Sequence, residues 1–260
     1  ALVHSTGSVA HVTTLEQVAL EAGLSFRSDG LFVGETATLI SLRGEKEVYE
    51  RLGLNFIPAE MREHSAETGR SLSTDFRGIL KYDDIRGDLH SHTDWSDGLY
   101  SMEEMIAAAR EQGLEYLAIT DHSTSATVAN GLKPDRLVEH SNLIRSLDSS
   151  TSSIRLLAGT EMDIKLDGSL DYAADLLADL DIVSASIHSG MDQDEKTMTS
   201  RIVSAMRSPH VDVICHLTTR LIERRAPVMM DVDTIFNTAV ATGTVLEINA
   251  SPERLDLNAD

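Results

Sequence analysis

The sequence predicts an α/β fold built on a parallel sheet, and three observations carry that expectation. From residue 85 onward, short apolar runs alternate with amphipathic helical stretches. The runs recur roughly every 30 residues, the spacing of repeated βα units. At 260 residues the chain is long enough to bury one barrel-sized core, or one medium core and a small one. Strands are expected at 85–90, 115–120, 154–161, 181–187, 211–215 and 244–249, and helices at 102–112, 134–147, 170–179, 194–207 and 231–241. Ser101 followed by Glu104 is a capping box that starts the first of these helices. Periodicity leaves a doubly wound sheet and a barrel both open. No GxGxxG follows the first strand, which removes the main support for a dinucleotide fold.

Upstream, residues 1–63 read as a small α+β unit. Thr6-Gly7-Ser8 is a turn, Leu15, Val18, Ala19 and Ala22 share helical spacing, and Gly23 stops that helix. Leu31-Phe32-Val33 and 37–42 are expected strands, and 45–52 a helix ended by Gly53. Residues 64–84 are polar and without period, which marks a linker between this unit and residues 85–260.

Composition narrows the class. Lys and Arg number 22 against 42 Asp and Glu, a net charge of −20. Such a surface argues against a broad basic groove for nucleic acid, and with Arg far outnumbering Lys it suits hydration in concentrated salt, as in a halophilic source. No secretory leader and no apolar run of about 20 residues is present, so the expected location is the cytoplasm, with no membrane partner. The single cysteine, Cys215, lies in an apolar run and is expected as a buried, reduced thiol. The first residue is not Met, which suggests a piece of a longer chain.

The chemistry gathers at one end of the expected strands. In Asp88-Leu89-His90-Ser91-His92-Thr93-Asp94-Trp95-Ser96-Asp97-Gly98, the two imidazoles stand two apart and so share a strand face. HxH alone is common, but the later strands deliver Asp121-His122, Glu161, His188 and His216 at the same C-terminal end, where α/β enzymes build their sites. His4, His11, His64 and His140 are assigned to surface or packing. Imidazoles with a minority of carboxylates and no thiolate suit Zn²⁺, Mn²⁺ or Fe²⁺ better than Mg²⁺ or Ca²⁺. So many ligands exceed one tetrahedral ion; two or three ions are expected, with Glu161 able to bridge through its two oxygens. Clustered divalent ions favour phosphoester hydrolysis, and from the residues alone hydrolysis of an amide or a deamination stays open.

These motifs resemble the PHP family, the polymerase and histidinol phosphatase superfamily. The stretch from Asp88 to Gly98 is similar to its first motif, Thr120-Asp121-His122-Ser123 to its second, Gly159-Thr160-Glu161 to its third, Ile187-His188-Ser189 to its fourth, and His216 to the next. The resemblance implies a distorted (β/α)7 TIM-like barrel with His90, His92, Asp97, His122, Glu161, His188 and His216 as metal ligands. The family closes its site with an Asp-x-His pair that this chain, ending at Asp260, does not reach, so the barrel is expected to be truncated at its C-terminus. More narrowly, the chain resembles the C-terminal half of bacterial- and archaeal-type family X DNA polymerases. Thr6-Gly7-Ser8, Val48 to Leu54, Ile57-Pro58 and Leu246 to Leu257 stand where that family has them. That implies a polymerase thumb over 1–63 and an appended phosphoesterase that trims DNA 3′ ends in repair, using Mn²⁺. Glu161, Asp97, His122 and Arg220 are then the residues expected to carry catalysis, Arg220 as a grip on a substrate phosphate. Val12 and Glu16 depart from the groove-binding Asn and Arg of the family's thumb. Competing expectations are a phosphatase for small phosphate esters and a non-catalytic domain stiffened by its metals.

Overall fold

The computed structural model describes residues 2–34, 38–63, 78–150 and 153–258. Contacts divide the chain into two compact units, Ala1–Tyr82 and Asp83–Asp260.

In the first unit, helices α1 (Leu2–Thr6) and α2 (Val9–Glu21) precede strands β1 (Leu24–Arg27), β2 (Gly30–Val33) and β3 (Thr38–Leu39) and helix α3 (Glu45–Arg51). The strands form one antiparallel sheet in sequence order. Helix α2 begins well before the apolar spacing that predicts it, because the Ser8 side chain accepts from the His11 amide and caps it there. Strand β1 escaped the sequence reading; its partner across the Ser28-Asp29 turn is β2, with Arg27 opposite Gly30. The expected strand at 37–42 is described from residue 38, and of the expected linker only 78–84 is described, with a 3₁₀ turn at Tyr82–Asp84. Leu15, Ala19, Leu31, Tyr49 and Ile57 form the core. Arg62 is buried among them, donating to the Ile57 carbonyl at 3.0 Å and to Glu45 at 2.9 Å.

The second unit is a six-stranded parallel sheet: β4 (Gly87–Ser91), β5 (Tyr116–Ile119), β6 (Arg155–Asp163), β7 (Ile182–Ser186), β8 (Val213–Ile214) and β9 (Val245–Leu246). Helices α4 (Met102–Glu111), α5 (Pro134–Ser150), α6 (Ala174–Leu177), α7 (Glu195–Met206) and α8 (Val232–Thr242) make the crossovers. The strands lie side by side in the order of the chain, β4 to β9. A doubly wound sheet reverses its order at a switch point, so this order is that of a barrel wall. The sheet curls far enough for a side chain on its first strand to meet one just past its last: His90 Nδ1 is 2.7 Å from Glu247 Oε1.

Each crossover is fixed by local chemistry. Ser101 and Glu104 form both halves of the capping box on α4. Asp194 and Asp231 cap α7 and α8 by accepting from the amides of Thr197 and Thr234. Gly243, at φ 78°, ends α8 in the left-handed conformation. Strands β6 and β7 are buried on both faces, as in a sheet covered by helices. Gly159 lies where the strands press closest: a Cβ there would sit 2.7 Å from the Ile182 side chain and 2.9 Å from its carbonyl oxygen. Met162, Val183, Ile202 and Ile235 belong to the larger core, and Ile106, Ile119, Ile144 and Leu156 to a second beneath α4 and α5.

Candidate metal centre

The C-terminal ends of the strands converge on Glu161, which is 1% exposed. It stands on β6, two residues before Asp163, so the two carboxylates share a strand face while Met162 enters the core. Its two oxygens face different partners. Oε1 accepts from Ser186 Oγ at 2.6 Å and lies 2.8 Å from His216 Nε2 and 3.2 Å from His188 Nε2. Oε2 lies 3.4 Å from His90 Nε2, 3.2 Å from His92 Nε2 and 3.1 Å from His122 Nδ1. Asp97 stands at the rim, Oδ1 2.8 Å from His92 Nδ1 and Oδ2 3.4 Å from His122 Nε2. The structure thus brings together His90, His92, Asp97, His122, Glu161, His188 and His216 around one cavity of about 390 Å³.

Delivery of these side chains is specific to each strand end. The β4–β5 register shifts between Asp88 and Ser91, an irregularity of the kind that re-aims side chains beside active sites. His216 adopts φ 28°, and its amide is held there by Glu247 Oε2 at 2.6 Å. Asp97 is carried on a tight turn anchored by Asp121, whose carboxylate accepts from the Thr93 amide at 2.9 Å and hydroxyl at 2.7 Å, and from the Ser96 hydroxyl at 2.6 Å. His140 Nε2, from α5, reaches the same carboxylate at 2.8 Å in a fully buried pair. Asp121 therefore faces away from the cavity and holds its rim. Gly98 closes the turn where a Cβ would stand 2.5 Å from the His92 carbonyl oxygen.

Second partners orient the imidazoles. His188 Nδ1 is 2.6 Å from Asp163, and His90 Nδ1 faces Glu247. Such carboxylate–imidazole pairs fix the ring and leave the other nitrogen for a metal. Burial disfavours protonation of His92 and His188, yet Asp97 and Glu161 beside the first, and Asp163 and Glu161 beside the second, push both up to about 9. Burial lowers His122. Burial would raise Glu161, but hydrogen bonds from His188, His216, His90 and His92 hold it well below the usual carboxylate range.

The donor set fits divalent ions. His92 Nε2 and His122 Nδ1 are buried with no hydrogen-bond partner, although both face Glu161. Among the described residues, ligand atoms of His90, His92 and Glu161 lie within 4.8 Å of one another, as do those of His92, Asp97 and His122, and those of His122, Glu161 and His188. A further group, His90, Cys215 and Glu247, shares His90 with the first, and Cys215 is buried.

Arg220 is elsewhere. Its Nε donates to the Arg254 carbonyl at 2.7 Å and its Nη2 to the Leu255 carbonyl, so the guanidinium expected to grip substrate is engaged with backbone. Among the described residues the arginine lining the cavity is Arg254. Glu247, Asp163 and Arg254 were missed from sequence. Asp163 follows Glu161 by two on one strand face, and Glu247 stands at the same sheet end as the histidines, so strand parity and position carry a signal for both. Of the histidines assigned to packing, His11 and His140 are buried; His64 lies outside the described residues.

A sequentially ordered parallel sheet with imidazoles and carboxylates gathered at its C-terminal rim defines an α/β barrel whose rim is able to bind metal. The chain belongs to the PHP family: the PHP domain model matches residues 88–251, and the DNA polymerase beta thumb model matches residues 1–63. It is 42% identical over 259 residues to the DNA polymerase/3'-5' exonuclease PolX of Bacillus subtilis, covering 100% of this chain and 45% of that protein. It is 31% identical over 168 residues to a probable phosphatase of Shewanella oneidensis, covering 63% of this chain and 62% of that protein. A probable phosphatase of Shewanella sediminis is 35% identical over 133 residues, covering 50% of this chain and 52% of that one. The chain spans less than two thirds of each of these relatives. Among the described residues no helix is long and apolar enough to cross a membrane.

Proposed function

We propose that the chain is the thumb and PHP portion of a family X DNA polymerase, with 1–63 the thumb, 64–84 a linker and 85–260 a metal-dependent phosphoesterase that hydrolyses DNA 3′ ends in repair. The observation that carries this reading is the convergence of five imidazoles on the two oxygens of Glu161. The likeness to a polymerase with 3′-5′ exonuclease over the whole chain, thumb included, favours DNA as the partner.

His90, His92 and Glu161 would hold one ion, His122, His188 and Glu161 another, with Asp97 and His216 completing the set; Mn²⁺ and Zn²⁺ suit these donors. Ions bound there would polarise phosphoryl oxygens and bring the pKa of water towards neutrality. Glu161, ionised and enclosed, presents one oxygen to each side of the cluster. Asp97 is the outermost carboxylate, 46% exposed in its side chain, and with His122 it can orient an attacking water and accept its proton. Water adds to phosphorus in line, the ester P–O bond breaks, and the departing oxygen takes up a proton.

The Shewanella relatives, probable phosphatases that match 63% and 50% of this chain, favour a second reading, hydrolysis of small phosphate esters. The two are separated by assaying a 3′-recessed and a 3′-phosphorylated duplex beside p-nitrophenyl phosphate with Mn²⁺ or Zn²⁺. Chelator-sensitive release at DNA ends is expected. Turnover of the small ester alone would replace the DNA reading, and metal uptake without turnover of either would leave a structural role.

A further inference from the structure

From the segment after β9, Asn249, Ser251 and Arg254 line the cavity together with the imidazoles. The shape of that segment is set by backbone bonds. Asn249 and Asp256 pair as an isolated antiparallel bridge, and the Asp256 carboxylate accepts from the Thr218 amide at 2.9 Å. Arg220 holds the carbonyls of Arg254 and Leu255, and Leu255 takes φ 45° between these anchors. So fixed, the loop presents the Arg254 side chain, among the described residues the one Lys or Arg lining the cavity.

Arg254 stands out in so acidic a chain. Among the described residues no carboxylate lies within ion-pair distance of it, and its Nη1 makes a long bond, 3.5 Å, to the Arg220 carbonyl. A half-buried guanidinium left without an anion, at the rim of a site that handles phosphoryl groups, is matched in charge and fork geometry to a phosphate.

We infer that Arg254 is the phosphate-holding residue of this site, donating to non-bridging oxygens of the phosphoryl group that reacts, and that Arg220 is a positioning residue acting through the loop backbone. The inference rests on the phosphoesterase reading for the identity of the substrate, and on the geometry alone for anion binding.

The test is calorimetric titration of inorganic phosphate into the full chain loaded with Mn²⁺, for the parent, Arg254→Gln and Arg254→Lys. Arg155→Gln, at the opposite end of β6, makes the same change in net charge and serves as the control. The loop is anchored through the Arg254 carbonyl, which every substitution retains, so the variants are expected to melt as the parent does. Loss of a charge-assisted pair predicts phosphate affinity roughly 10- to 100-fold weaker in Arg254→Gln. A smaller loss is expected in Arg254→Lys, which keeps the charge without the fork, and none in Arg155→Gln. For any ester the parent hydrolyses, KM rises with Arg254→Gln while metal content stays at the parental level. Parental phosphate affinity in Arg254→Gln, an equal loss in Arg155→Gln, or a parent that binds no phosphate would each overturn the inference. Parental binding lost in Arg254→Gln with no ester turned over by the parent would instead overturn the phosphoesterase reading and leave the anion site standing.

Discussion

Glu161 is an ionised carboxylate 1% exposed, tolerated because imidazoles and a serine hydroxyl surround both of its oxygens. Its loss is expected to disperse the metal cluster: Glu161→Gln should retain less than half the metal of the parent after dialysis, read by elemental analysis. Asp163 acts one step back, through His188, so Asp163→Ala should weaken metal affinity by about 10- to 100-fold without abolishing it. Competition with a chromogenic chelator would show this, and unchanged affinity would assign Asp163 to packing. Asp121 is different, because its carboxylate is spent on the Thr93–Ser96 turn and on buried His140. Asp121→Ala leaves those donors unpaired and should cost on the order of 3–5 kcal/mol by denaturant unfolding. The histidines were legible in the sequence because each follows an apolar run. Their carboxylate partners were less so: His90 and Glu247 lie far apart in the chain, and only the curl of the sheet makes them neighbours. Arg220 and Arg254 show the same limit. Motif position singled out the first, and backbone geometry decides which guanidinium reaches the cavity.

At the level of elements, the site depends on how strands end. The turn from Thr93 to Gly98 must be tight to set Asp97 against both His92 and His122, and Gly98 makes it so by lying where a Cβ would strike the His92 carbonyl. Gly98→Ala is therefore expected to lower metal affinity while far-ultraviolet circular dichroism remains that of the parent. Parental affinity would show that the turn can yield. All six strands of the sheet and the helices between them fall on stretches expected from apolar spacing, since buried parallel strands write themselves as apolar runs. Boundaries at the last two were overestimated. The runs at 211–215 and 244–249 are apolar or half-apolar throughout, but only Val213–Ile214 and Val245–Leu246 pair in the ladder. Periodicity could not choose between a doubly wound sheet and a barrel, because strand order is a property of pairing and not of spacing.

For the whole molecule, the two units are expected to contribute separately. Deleting residues 1–82 should leave turnover of a small phosphate ester at the parental level and weaken action on a DNA duplex, as measured by comparing kcat/KM on both substrates. Equal loss on both would show that the first unit is needed for the second to fold. A net charge of −20 gives the chain little general attraction for nucleic acid, so the proposed function requires DNA to be engaged locally, by the first unit and at the reacting phosphate. The most direct measurement of the central claim is nucleotide release from a 3′-recessed duplex with Mn²⁺, run for the parent and Glu161→Gln side by side. Release by the parent that chelator stops, and at least 100-fold slower release by Glu161→Gln, is the expected result. Equal release by both proteins would contradict a phosphoesterase centred on Glu161.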